Sequence, residues 1–206
     1  MKRIITIGRE FGSGGRELGR RLSEELNIAY YDQEIITAIA NRTEFSEEYV
    51  QSIVEHRPIA SFPIHIGRSF YPGIHPIAEQ TNSIFKEQSR ILREMAEKSD
   101  CVIVGRCADY ILRNSLPFRI FVYADMESKM KRCRMKASDH EKMSDSELKK
   151  HILDIDRHRA QYYNYFSGQK WGDRIHYDLC INTTNTSIKE LTHVLARMFL
   201  FGQEDV

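Results

Sequence analysis

Two hydrophobic periods alternate along the 206-residue chain, and their succession predicts its elements. Ile4 to Gly8 is an unbroken β-branched run that closes on glycine, which reads as a short buried strand. Leu18, Leu22 and Leu26 then recur at every fourth position, so Arg16 to Leu26 reads as an amphipathic helix. Ile28 to Tyr31 predicts a second strand, and Gln33 to Asn41 a helix buried through Ile35, Ile36 and Ile39. Ser46-Glu47-Glu48 caps and charges the start of another helix that reaches about Glu55. Further on, a long helix from Ile77 to Lys98 precedes Cys101 to Gly105, whose apolar continuity is that of a strand covered on both faces. Phe118 to Tyr123 repeats the strand pattern, Asp125 to Lys136 predicts a basic helix, and Asp145 to about Phe166 a long polar one. Leu179 to Asn182 is the last strand and Ser187 to Phe199 a closing helix.

One stretch, 57–76, breaks both periods: it holds four of the five prolines (Pro58, Pro63, Pro72 and Pro76) among aromatic residues and predicts an irregular arm. Strands separated by helices predict an α/β, three-layer domain with a five-stranded parallel sheet, whose ligands lie beyond the carboxyl ends of the strands. The length suits one core, so 1–206 is expected to be a single domain, and no internal repeat interrupts it.

Charge and cysteine content narrow the function classes. Thirty Lys and Arg against 29 Asp and Glu leave a formal charge of +1, so neither nucleic acid nor a membrane surface is an expected partner, and any positive site must be local. No 18-residue apolar run exists, and Met1-Lys2-Arg3 leads straight into the first strand. Cys101, Cys107, Cys133 and Cys180 form no CxxC pair and lie in apolar or helical stretches, which predicts structural thiols in a reducing, cytoplasmic compartment.

The chemistry-bearing motif is Gly8-Arg9-Glu10-Phe11-Gly12-Ser13-Gly14-Gly15-Arg16, set between a strand and a helix. Gly12, Gly14 and Gly15 permit positive φ, and the amides of Gly12 to Arg16, Ser13 among them, are expected to converge on a phosphate at the helix N-terminus, with Arg9 and Arg16 adding charge. On this reading a side chain at Gly14 fills the anion's space, so Gly14→Val is expected to abolish nucleotide binding and leave the fold intact. Set against GxxxxGK[ST], Arg9 stands at the first glycine, Gly15 at the lysine and Arg16 at the Ser/Thr. The point charge and the magnesium-ligating hydroxyl are thus replaced, and Arg16 is the candidate for a bidentate phosphate contact. Metal ligands stay unknown from the sequence, with Glu17 or Asp109 as candidates.

In its order of segments the chain resembles the cytidylate kinase-like family of P-loop nucleoside monophosphate kinases. The resemblance rests on Gly8 to Arg16, on Tyr30-Tyr31-Asp32, on Val102 to Leu112, and on Asp156 through Tyr162-Tyr163 to Asn182. It implies a three-layer P-loop NTPase fold with an acceptor-binding arm at 57–76 and a helical lid over about 140–176. It implies as well ATP and Mg2+ and nucleotide substrates, with Asp32, Arg106 and Asp109 at the acceptor and Arg157 beside the nucleotide. Arg106 matches the arginine of a Gly-Arg-Asp segment, Cys107 stands where the family carries aspartate, and Asp109 is near enough to substitute. Asp156-Arg157-His158-Arg159-Ala160 resembles a lid motif, which makes Arg16, Arg106 and Arg159 the expected catalytic arginines. From the residues alone, Arg106 could instead cap a strand end, and Arg157 and Arg159 could lie on a solvated helix face.

The aromatic group Tyr162, Tyr163, Tyr165, Phe166 and Trp171 reads as packing, and Lys129, Lys131, Arg132, Arg134 and Lys136 as a solvated helix face without a site. The leading function is ATP-dependent phosphoryl transfer to a nucleoside monophosphate such as CMP. The alternatives are a non-catalytic nucleotide- or phosphate-binding protein of the same fold and an interaction module built on the arm. Oligomeric state is open, with Phe199-Leu200-Phe201 as a possible contact patch.

Overall fold

The structure is a computed structural model that describes residues 2–56, 76–136 and 143–201. Residues 57–75 of the arm expected at 57–76 and the first residues of the lid lie outside the described residues. Five strands, β1 (Ile4–Arg9), β2 (Ala29–Tyr31), β3 (Cys101–Val104), β4 (Phe118–Tyr123) and β5 (Leu179–Asn182), form one sheet in the order β2-β3-β1-β4-β5. All four pairings are parallel, with Ile5 opposite Val102 on one side and Phe118 on the other. Helical crossovers make that arrangement possible and bury both faces, which is why the central strands are apolar throughout.

Eight α-helices are described: α1 (Gly15–Leu26), α2 (Gln33–Asn41), α3 (Glu47–Gln51), α4 (Pro76–Lys98), α5 (Ala108–Ile111), α6 (Met126–Lys136), α7 (Asp145–Ser167) and α8 (Ile188–Phe201). Side chains alternate between two cores. Ile5, Ile7, Val102 and Val104 pack with Leu18, Leu22, Ile188 and Leu195 of α1 and α8. Ile4, Cys101 and Ile103 pack with Ile36, Ile84, Leu92, Ile111 and Tyr162 of the opposite layer. Tyr162 and Tyr163 are buried in that second core, as packing residues should be.

Three local features depart from the sequence pattern. The helix after Ser46 gives way at Ser52 to a π-helical turn, Ser52–His56. α5 and the 3-10 turns Arg113–Ser115 and Arg174–His176 are too short for periodicity to reveal. The solvated-face reading of the charge run in α6 is also corrected: Lys129 is buried, and Arg132 turns inward to donate to the Thr183 carbonyl. All four cysteines are free thiols, with Cys101 and Cys107 buried. Phe199 of the supposed contact patch packs edge-on against Phe118, while Leu200 is exposed.

Candidate active site

β1 and β3 are neighbours at the middle of the sheet, so the loops that leave their carboxyl ends meet where the strand order reverses. The first loop runs from β1 into α1. Gly12 at φ 75° and Gly14 at φ 85° turn the chain, and Leu18 N–H donates to Gly14 O as the first bond of the helix. The amides of Gly15, Arg16 and Glu17 ahead of that bond therefore have no intrahelical acceptor, and Gly14 supplies no side-chain cap. Ser13 is fixed through both ends: its hydroxyl donates to Glu10 O at 2.8 Å, and its carbonyl accepts from the Thr183 hydroxyl at 2.7 Å. Ser13 thus holds the loop's shape from within.

A Cβ at Gly14 would lie 2.7 Å from Ile188 Cδ1, on the core side of the loop. The expectation that Gly14→Val fills the anion's space and spares the fold is corrected: its Cβ would strain a positive φ and crowd the Ile188 side chain.

The departures from GxxxxGK[ST] are linked through space. The Arg9 stem crosses under Gly15, whose Cβ would meet Arg9 Cβ at 2.5 Å, and its guanidinium lies on Gly105, whose Cβ would meet Arg9 Nη1 at 1.7 Å. A side chain at position 9 accordingly leaves room only for glycine at 15, and the Arg9 guanidinium fills the space that a side chain at 105 would take. Arg9, expected to add charge at the phosphate loop, runs inward to Asp32, at 3.8 Å, and Glu55, at 3.7 Å.

The loop after β3 carries Arg106 into the same interior. Gly105, Arg106 and Cys107 all have positive φ, 73°, 58° and 53°, a run that costs free energy at the two non-glycine residues and persists because the surroundings fix it. Gln88 Nε2 holds it by donating to the Arg106 carbonyl at 2.9 Å. The Arg106 side chain is 1% exposed, and its Nη1 lies 3.1 Å from Glu55 Oε1. Arg159, on α7, is largely covered, its side chain 12% exposed, and its guanidinium lies 5.6 Å from the Phe11 ring centroid. Burial opposes the Glu55 charge, but Arg106, Arg9, Arg159 and Arg16 together outweigh it and pull the carboxyl down to about 2. Burial, with the Arg159 charge, lowers the Arg9 guanidinium to about 9 against the pull of Asp32 and Glu55. Arg16 is the exposed member, 58% open, with Nε 2.5 Å from buried Asp32.

Two spaces flank this cluster. An outer cleft of about 490 Å³ opens over Gly12, Gly14, Gly15, Arg16 and Arg132. An inner cavity of about 40 Å³ lies among Arg106, Asp109, Tyr163 and Trp171. Asp156 closes the floor between the loop and α7: it accepts from the Phe11 amide at 2.6 Å and from Lys129 Nζ at 2.9 Å. Lys129 also reaches Glu10 at 2.8 Å.

Glu55, Lys129, Arg132 and Asp156 were absent from the sequence-derived site. Spacing held a signal for two of them, since Lys129, Arg132, Cys133 and Lys136 share one helical face while Lys131, Arg134 and Met135 point to solvent. Glu55 carried no signal. Arg157 is corrected in the opposite sense: it is 62% exposed, paired with Asp154 at 2.7 Å, and lines neither space. Asp109 accepts from the Tyr163 hydroxyl at 2.7 Å, and burial raises its carboxyl above the ordinary range. Glu17 is held by Arg21 at 2.9 Å and Lys136 at 3.3 Å. Both carboxylates thus have protein partners, and no cluster of three or more His, Cys, Asp or Glu that could hold a metal occurs among the described residues. No described helix is long and apolar enough to cross a membrane.

A glycine loop opening a helix beside a parallel sheet and a buried arginine cluster is a combination that comparison with known proteins can test. The sequence model of the cytidylate kinase-like family matches residues 4–185. The chain belongs to that family. No curated protein matches it. Among solved structures it is similar to an uncharacterized protein from Eubacterium ventriosum ATCC 27560, at 26% identity and TM-score 0.67, with 97% of this chain and 99% of that chain covered. Shikimate kinase from Bacteroides thetaiotaomicron aligns at 16% identity and TM-score 0.58 over 97% of this chain and 99% of that one. Shikimate kinase from Acinetobacter baumannii aligns at 14% identity and TM-score 0.55 over 100% of this chain and 96% of that one. The two kinases share its fold, a five-stranded parallel sheet between helical layers.

Proposed function

We propose that this cytidylate kinase-like protein transfers the γ-phosphoryl group of ATP to a small acceptor, a nucleoside monophosphate with CMP as the first candidate. The observation that carries the reading is the pair of spaces meeting at one arginine cluster: the outer cleft and the inner cavity share Arg9, Glu55 and Arg159 as walls. Phosphoryl transfer asks the protein to align two phosphates and to neutralise charge spreading over the moving group. The outer cleft is within the usual size of a small-molecule site, roughly 300–1,000 Å³, and is floored by the amides at the start of α1. ATP binds there on this reading, with its phosphates on those amides and Arg132 and Arg16 alongside. Arg16, Arg106 and Arg159 then surround the transferred group, and Asp32 orients Arg16 and lies towards the acceptor. No cluster of three or more His, Cys, Asp or Glu among the described residues would cage Mg2+ by itself, so Mg2+ would arrive on the nucleotide's own phosphates, and no step is assigned to it. Asp109, bonded to Tyr163, contributes shape and a hydrogen-bonding wall to the inner cavity.

A second reading, a phosphate- or nucleotide-binding protein without turnover, is favoured by one feature: Lys129, the cation beneath the loop, is already paired with Glu10 and Asp156. ADP release in the presence of ATP and each of several nucleoside monophosphates separates the two. Turnover with CMP supports the first reading. ATP-induced thermal stabilisation without ADP release from any acceptor supports the second, since ligand at a hundred times its Kd adds about 2.7 kcal/mol.

A further inference from the structure

Of the three residues that wall the outer cleft from the inner cavity, Glu55 is the one carboxylate. Its Oε1 lies near Arg106 Nη1 and Arg9 Nη2 yet makes no hydrogen bond among the described residues. Facing it, Arg106 Nε and Nη2, Arg9 Nη2 and Arg159 Nε are buried donors that also have no acceptor among the described residues. Buried polar atoms are almost always satisfied, and here the four unpaired donor atoms outnumber the unpaired carboxylate oxygens Glu55 Oε1 and Asp32 Oδ1, so the cluster has donors to spare for an incoming anion. Arg9, Arg16, Arg106 and Arg159 stand against Asp32, Glu55 and Asp156, so the cluster keeps an excess of positive charge that a phosphoryl anion would neutralise. The inner cavity, at about 40 Å³, has room for a few waters and none for a nucleotide while its wall stands. Glu55 also sits in the π-helical turn Ser52–His56, the kind of irregularity that accompanies functional sites in helices.

We propose that Glu55 is the resident counterion of the inner site and that the acceptor's phosphoryl dianion takes its place. In that exchange the carboxylate leaves Arg9 and Arg106, the dianion accepts from the freed guanidinium donors, and the two spaces join across the line of transfer. The carrier of the dianion rests on the kinase reading above; the exchange itself does not.

The test uses the full chain and inorganic phosphate, titrated by calorimetry. Glu55→Gln removes the competing charge and keeps the shape, so it should bind phosphate at least tenfold more tightly than wild type. Glu55→Asp, drawn back by one methylene, should fall between the two. The gain should disappear in the Glu55→Gln, Arg106→Ala double variant. Equal or weaker phosphate binding by Glu55→Gln would overturn the exchange and make Glu55 a strut that holds the arginines. Should that variant not fold, weaker binding by Glu55→Asp overturns it equally. Repeating the titration with a saturating non-hydrolysable ATP analogue distinguishes the sources of phosphate: a gain that persists belongs to the acceptor side, and a gain that vanishes overturns that assignment. Absence of ADP release by wild type with every acceptor, alongside an intact Glu55→Gln gain, sinks the kinase reading alone.

Discussion

The outer cleft and the inner cavity solve the same problem, holding negative charge, by opposite means. The outer cleft uses backbone amides at the start of α1 and arginines that reach water, such as Arg16. The inner cavity uses guanidiniums taken out of water, each leaning on a carboxylate: Arg9 on Asp32 and Glu55, Arg106 on Glu55, Arg159 towards Asp156 at 3.9 Å. Exposed contacts are cheap to form and weak. Buried charges are costly to desolvate and costly to orphan, so they must be supplied with partners in the absence of ligand. The inner site therefore has its electrostatics built in, whereas the outer one waits for its anion.

That contrast is broken most directly at Arg106. Arg106→Ala leaves buried Glu55, among the described residues, with the more distant Arg9 as its ion-pair partner, and unfolding in urea should show a loss of about 3–5 kcal/mol, together with a turnover at least about a hundredfold lower. Adding Glu55→Gln should recover part of the stability and none of the turnover, the signature of a coupled pair.

The linkage between position 9 and position 15 yields the next largest effect. Gly15→Lys restores the motif lysine but drives a side chain into the Arg9 stem, so it should destabilise the protein by roughly 2–4 kcal/mol. The Arg9→Gly, Gly15→Lys double variant should be more stable than Gly15→Lys alone. Additive losses would show that the two positions are independent.

At the boundary between the two spaces, Arg16→Lys keeps the charge and loses the planar fork. Turnover should fall by roughly tenfold to a hundredfold, about 1.4–2.7 kcal/mol, with a smaller change in apparent ATP affinity, and Arg16→Ala should be worse. Wild-type kinetics in both variants would remove Arg16 from the mechanism.

Acid should act on the inner site first. The Glu55 carboxyl lies at about 2 in the folded protein against an ordinary 4.5, so its stabilisation is present above about 4.5 and is lost as pH falls towards 2. Asp109, raised by burial, has the opposite sign: it favours the fold at low pH and its contribution fades as pH rises past its shifted value. Unfolding free energies from urea titrations between pH 7 and pH 3 should therefore fall more steeply for wild type than for Glu55→Gln, by at most about 1.4 kcal/mol per pH unit. Smallest of all is Arg157→Ala, which should leave turnover unchanged and shift Tm by about 1 °C or less, because Arg157 pairs with Asp154 on an exposed helix face.

Much of the fold was legible because parallel strands and amphipathic helices write their burial into a linear period. Phe118 to Tyr123, Leu179 to Asn182 and Gln33 to Asn41 have the limits that the pattern predicts. The glycine loop was legible too, since positive φ has a residue preference. The site was legible only where one segment supplies it whole. Arg157 and Arg159 look alike in sequence, two residues apart on α7, and burial alone separates them. The run in α6 read as uniformly solvated because charge was weighed without its phase, although Lys129 and Arg132 lie one turn apart on the inward face.

What the sequence determined by itself is the alternation of strands and helices, the glycine turn that opens α1, and a supply of arginines beside it. These are local properties, set by side-chain period and by φ. What the tertiary structure decided is which charges face one another. Arg9, Asp32, Glu55, Arg106 and Arg159 come from five separate segments, and their meeting depends on β1 and β3 lying side by side and on glycine at 15 and 105 leaving room for the Arg9 side chain. Charge pairing acts through distance in space and is strengthened by exclusion of water, and neither quantity is a function of position along the chain.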